Sequence, residues 1–87
     1  SLKLIELLQE RQACVDYFDP IISYLDIGGI HLKSVELTKK QVSQYDCVVI
    51  ATDHTHVDYD LIRKYARLIY DTRNVYRGHK DKKIIKI

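Results

Sequence analysis

Cys47-Val48-Val49-Ile50-Ala51-Thr52-Asp53-His54 is the stretch on which the reading of the fold turns. Its first five residues are apolar without a break, and Val48, Val49 and Ile50 are β-branched. A short run of this kind reads as a strand buried on both faces, as in a parallel sheet covered by helices. The chain then turns polar at Thr52, Asp53 and His54. In open α/β sheets, ligands bind just beyond the carboxyl ends of the strands. The stretch therefore predicts a central strand followed by a ligand loop, with Asp53 and His54 as candidate contacts.

Downstream, Asp58 can cap a helix over residues 59–67. Leu61, Ile62, Tyr65 and Ala66 share one face of it, and Asp60, Arg63, Lys64 and Arg67 lie outward. Residues 68–71 read as the next strand, 72–81 as a loop, and 83–87 as a final edge strand guarded by lysines. Upstream, Thr38 is a good N-cap, Gln41 completes a capping box, and Leu37 and Val42 stand where a hydrophobic staple needs them. A short helix should run from Lys39 to near Tyr45. Residues 20–34 are less regular: a short helical turn, a turn at Gly28-Gly29, then an extended piece over 31–35. Residues 13–18 read as a strand ended by Asp19-Pro20, and residues 2–12 as an amphipathic helix with Ser1 as N-cap. The alternation predicts an α/β, Rossmann-like three-layer sandwich with a mainly parallel sheet. Such domains usually open on the strand that becomes the sheet centre, whereas this chain opens on a helix. A sheet lacking its first strand is expected, with the chain a fragment of a larger protein or the gap filled by a partner or swapped segment.

The length, 87 residues, predicts a single domain with a modest core. With 46% hydrophobic and 30% charged residues, the composition suits a globular fold and argues against disorder. No apolar run approaches the ~20 residues that span a bilayer, and no secretory signal is legible. The net charge of +2, from 14 basic and 12 acidic residues, is too balanced to indicate nucleic-acid binding. Lys80, Lys82, Lys83 and Lys86 cluster late and read as a solvated edge and tail. Cys14 and Cys47 sit in apolar strand patterns and are expected to be buried, inert thiols. Their spacing matches no zinc or redox motif, and a reducing, cytoplasmic location is expected.

Four constellations could carry chemistry. Asp19 ends a strand, where a dinucleotide fold places the acid that holds the ribose, but the glycine-rich turn about 20 residues earlier is missing. The simpler role is to cap the turn before Pro20. Asp53, His54, His56 and Asp58 form a polar cluster, yet no second ligand pair is spaced to complete a tetrahedral metal site. A Cys47–His54 dyad fails on distance, since a strand rising ~3.3 Å per residue would separate the two by some 20 Å. Arg73 follows the strand 68–71 directly, on the same rim as Asp53. A guanidinium there suits a diphosphate by charge and by paired donors, and Arg77 could assist.

Residues 4–11 (LIELLQER), 15–20 (VDYFDP), 45–54 (YDCVVIATDH) and 71–74 (DTRN) together resemble the C-terminal domain of the UDP-glucose/GDP-mannose dehydrogenase family. The stretch 28–35 (GGIHLKSV) and the Thr-Asp-His loop resemble the branch that oxidises UDP-N-acetylhexosamines. The resemblance implies a Rossmann-like domain that helps to hold the UDP part of a UDP-sugar. It implies a parent enzyme that oxidises C6 of that sugar from alcohol to carboxylate with NAD, in surface polysaccharide precursor synthesis. The NAD would be bound by an N-terminal domain, and a homo-oligomer is implied. The Asp-Thr-Arg-Asn segment matches the family's Asp-Gly-Arg motif, whose arginine contacts the nucleotide sugar, and that role carries over to Arg73 alone. The family's Arg-Glu-Ser-Pro segment, catalytic cysteine motif and glycine-rich NAD turn have no counterpart here, so the chain by itself is expected to bind no NAD and to be inactive. A stand-alone nucleotide-binding module and an interaction domain that has lost its ligand are the alternatives.

Overall fold

The computed structural model describes residues 2–86. The chain divides into two compact units, Ser1–Glu36 and Leu37–Ile87.

In the first unit, helix α1 (Leu2–Glu10) buries Ile5. The helix stops because Gln12 takes a left-handed conformation, φ 64°. The backbone N–H of Ala13 then donates to Leu8 O at 3.0 Å, which closes the last turn. Ser1, the expected N-cap, lies outside the described residues. Residues 13–18 do not form the expected strand. Among the described residues they have no ladder partner, although the Val35 N–H donates to Tyr17 O at 2.9 Å. β-branched and aromatic residues fit a pleated surface but cannot make a strand without a partner. The Asp19 carboxylate caps the following turn, accepting from the N–H groups of Ile21 and Ile22 at 2.8 and 2.9 Å.

The expected helical turn after Pro20 is also absent. Its place is taken by an antiparallel hairpin of β1 (Tyr24–Ile27) and β2 (Ile30–Lys33), with Ile27 opposite Ile30. Gly28 and Gly29 make the two-residue turn at φ 59° and 82°. Positive φ at both central positions is what a type I′ hairpin turn requires, and glycine supplies it without steric cost. Ile30 is buried, while Tyr24 and Ile27 are exposed.

In the second unit, helix α2 (Lys39–Gln44) begins where Thr38 accepts from the Gln41 N–H at 3.1 Å. The capping box is half formed. The Gln41 side chain donates to the Tyr45 hydroxyl at 2.8 Å instead of turning back to the cap. Leu37 packs against the cluster that contains Val42, as the staple predicts. Helix α3 (Tyr59–Tyr65) begins at Asp58, which accepts from the Leu61 N–H at 3.1 Å. Asp60 in its first turn and Arg63 and Lys64 in its last suit the helix dipole.

Strands β3 (Val48–Ile50), β4 (Ile69–Asp71) and β5 (Ile84–Lys86) form one parallel sheet in the order β3-β4-β5. The fold is thus mixed α/β, Rossmann-like, with a parallel sheet and a β3–α3–β4 crossover. Residue 87, expected to end the last strand, lies outside the described residues. The expected central strand, β3, stands at an edge of this sheet among the described residues, and β4 is the centre. Burial agrees: Ile69 is fully buried, whereas Val48 and Val49 are only half-buried. Ile50, Ile62, Ala66, Ile69, Tyr76, Ile84 and Val42 make the core. Each large aliphatic side chain buried there contributes about 1.5–3 kcal/mol. Cys14 and Cys47 are both exposed, which corrects the expectation of buried thiols. Cys47 precedes the first ladder residue and so escapes the core. Among the described residues no helix is long and apolar enough to cross a membrane.

Candidate functional site: the carboxyl-end rim of the parallel sheet

Because β3 and β4 run parallel, with Ile50 opposite Asp71, the chain leaves both strands on the same rim. Two loops start there, 51–58 after β3 and 72–83 after β4. Thr72 ties them together. Its N–H donates to Ile50 O at 3.2 Å, and its hydroxyl donates to the same carbonyl.

Asp71 organises the second loop. It is 1% exposed. Its Oδ1 accepts from the N–H groups of Arg73 and Val75, both at 3.1 Å, and its Oδ2 accepts from Tyr76 N–H at 3.0 Å. Burial alone would raise its pKa, but the backbone donors of Tyr76, Val75, Arg73 and Asn74 outweigh burial and hold it below the ordinary value. A carboxylate held this way stays ionised and draws the loop around itself. Asn74 completes the turn at φ 56°, a left-handed conformation that asparagine tolerates. The loop thereby exposes Arg73, whose guanidinium has no protein partner among the described residues. Arg77 is also exposed, and its Nη1 donates to Asn74 O at 3.4 Å, so it braces the loop.

Tyr59, at the start of α3, shapes the first loop. Its hydroxyl accepts from His54 N–H at 2.8 Å and donates to Thr52 O at 3.2 Å. The two loops are linked again through Tyr76, whose hydroxyl donates to Tyr59 O at 2.7 Å and whose ring meets that of Tyr59 edge-on. Tyr76 is buried, and burial first, then the Asp71 carboxylate, pushes its phenol far above the ordinary value; it acts as a fixed donor. His54 is half-buried, and its Nδ1 accepts from His56 N–H at 3.2 Å, which leaves Nε2 for a ligand. Asp53 is exposed without a protein partner among the described residues.

The three candidate residues therefore stand on one rim, Asp53 and His54 on the first loop and Arg73 on the second. Arg73 can donate paired hydrogen bonds to phosphate oxygens, and Asp53 can accept from hydroxyls. No group of three His, Cys, Asp or Glu residues among the described residues could hold a metal ion. Sequence reasoning singles out neither Asp71 nor Tyr59. An aspartate followed by polar turn residues is a signal for Asp71, whereas nothing in the sequence marks the hydroxyl of Tyr59. Gly28 and Gly29 form a hairpin turn and Gly78 lies between β4 and β5, so among the described residues no glycine stands at a strand-to-helix turn.

A parallel α/β unit with polar loops on its carboxyl-end rim is, as a class, a Rossmann-like ligand-binding fold. The chain belongs to the UDP-glucose/GDP-mannose dehydrogenase family, UDP binding domain, whose family model matches residues 1–78. No curated protein and no solved structure matches it.

Proposed function

We propose that this chain, as a single domain, is the UDP-sugar-binding C-terminal part of an NAD-dependent nucleotide-sugar 6-dehydrogenase that converts a UDP-N-acetylhexosamine to its uronic acid. Arg73 takes the diphosphate, and Asp53 and His54 take hydroxyl or base groups beside it. The observation that carries this reading is the tie between the loops by Thr72 at Ile50 O, which puts Arg73 on the rim of residues 52–54. The family match supports it independently. In this reading NAD belongs to an N-terminal domain, the parent is a cytoplasmic homo-oligomer, and the isolated chain reduces no NAD.

The test is titration of UDP into isotopically labelled chain, followed by amide shifts, with NAD as control. Saturable shifts at residues 52–54 and 73 with UDP alone are expected. Arg73→Ala, at an exposed position, should leave the fold intact and weaken UDP about tenfold or more. Shifts of equal size with NAD, or an Arg73→Ala variant that binds UDP as before, would refute the assignment.

A further inference from the structure

The family match ends at residue 78, yet the residues beyond it are not an inert tail. Residues 79–86 curl into an open concavity of about 470 Å³ lined by His79, Lys80, Asp81, Lys82, Ile84 and Lys86. Three of these six carry an ammonium group and one a carboxylate. The carboxylate is engaged, since Asp81 Oδ1 accepts from Lys83 N–H at 3.1 Å. The ammonium of Lys86 is positioned, donating to His79 O at 2.9 Å. His79 is itself held, its N–H donating to Tyr76 O at 3.0 Å and its ring edge-on to that of Tyr76. The ammonium groups of Lys80 and Lys82 have no protein partner among the described residues. Register sets the two ends of the lining along β5: Ile84 lies opposite Ile69 and Lys86 opposite Asp71 in the parallel pair β4–β5.

We infer that this concavity is a second oxyanion site, built for a phosphate or diphosphate group and separate from Arg73. The lining sets three ammonium groups against one carboxylate, and a net positive concave surface concentrates anions. Two unpartnered ammonium groups beside a third held by a backbone carbonyl give the donors that phosphate oxygens require. Tyr76 joins this segment to the Asp71 loop, since the residue that anchors His79 through its carbonyl also donates its N–H to Asp71. The inference stands apart from the proposed UDP site, because none of its residues belongs to the loop 52–54 or to Arg73.

The test is titration of inorganic pyrophosphate into the labelled chain at constant ionic strength, with sodium chloride as the control. Uridine and UDP in parallel separate a nucleotide source of the phosphate from a free one. Saturable shifts at residues 79–82 and 86 are expected with pyrophosphate, in the wild type and equally in Arg73→Ala. The double change Lys80→Ala, Lys82→Ala should weaken pyrophosphate by roughly tenfold while leaving the melting curve unchanged, as both side chains are exposed. Shifts that never saturate, that sodium chloride reproduces, or that persist at full affinity in the double variant overturn the inference. Loss of the UDP response at residues 52–54 and 73 alone counts only against the proposed function.

Discussion

Replacing Asp71 by asparagine tests the central claim about how the rim is built. The carboxylate accepts three backbone hydrogen bonds at 1% exposure, two on Oδ1 and one on Oδ2. Asparagine can keep the pair on its oxygen, but its NH2 then meets the Tyr76 N–H, donor against donor. A buried donor left unpaired costs about 1–3 kcal/mol, and the two surviving bonds weaken once the acceptor is neutral. The total is about 2–4 kcal/mol, out of the roughly 4–13 kcal/mol expected for a domain of this size. The pH dependence gives a second readout. The folded pKa of Asp71 lies below its ordinary value of 3.8. The stabilisation is therefore complete above that ordinary value and is lost as pH falls through the folded pKa. Urea unfolding followed by circular dichroism should show a lower midpoint for Asp71→Asn at neutral pH with an unchanged slope. The gap between wild type and variant should narrow in acid. A midpoint at pH 7 equal to that of the wild type, or a gap that stays constant into acid, would refute the claim that an ionised Asp71 holds the loop.

Tyr59→Phe removes the bridge between His54 N–H and Thr52 O. It should cost about 1–2 kcal/mol and speed hydrogen exchange at the His54 amide, with little change at Tyr76, whose bond is to the Tyr59 carbonyl. Gly29→Ala forces a side chain into φ 82° although the space around it is open, so a loss of about 1 kcal/mol in urea unfolding should come from backbone strain alone. Cys14 and Cys47 should both react with a disulfide reagent without denaturant. Partial desolvation of the Cys47 sulfur pushes its thiol up, offset in part by a backbone hydrogen bond from Tyr70, so its reaction rate should still be rising above pH 9, as read by stopped-flow absorbance.

Sequence alone determined the features that depend on near neighbours. Thr38 and Asp58 cap helices because their oxygens reach N–H groups three residues on. The helices turn the faces of Val42, Ile62 and Ala66 inward because 3.6-residue periodicity allows nothing else. Arg73 was legible because a polar turn directly after an apolar run places it at a strand end. The turn at Gly28-Gly29 was equally local, but the segment before it reads as a helical turn and is the strand β1, although two glycines between extended segments are a hairpin signal. Tertiary structure decided the rest, because a ladder needs a partner that propensity does not name. Residues 13–18 have strand composition and no ladder, β3 has the apolar run of a central strand and stands at an edge, and β4 holds the centre. The rim is likewise a product of assembly. The parallel register sets Ile50 beside Asp71 and Asp71 beside Lys86, and only then can Thr72, Tyr59 and Tyr76 link loops distant in sequence. A buried carboxylate becomes the organiser of a loop once the fold removes its water and aims backbone donors at it, which is a property of place rather than of composition.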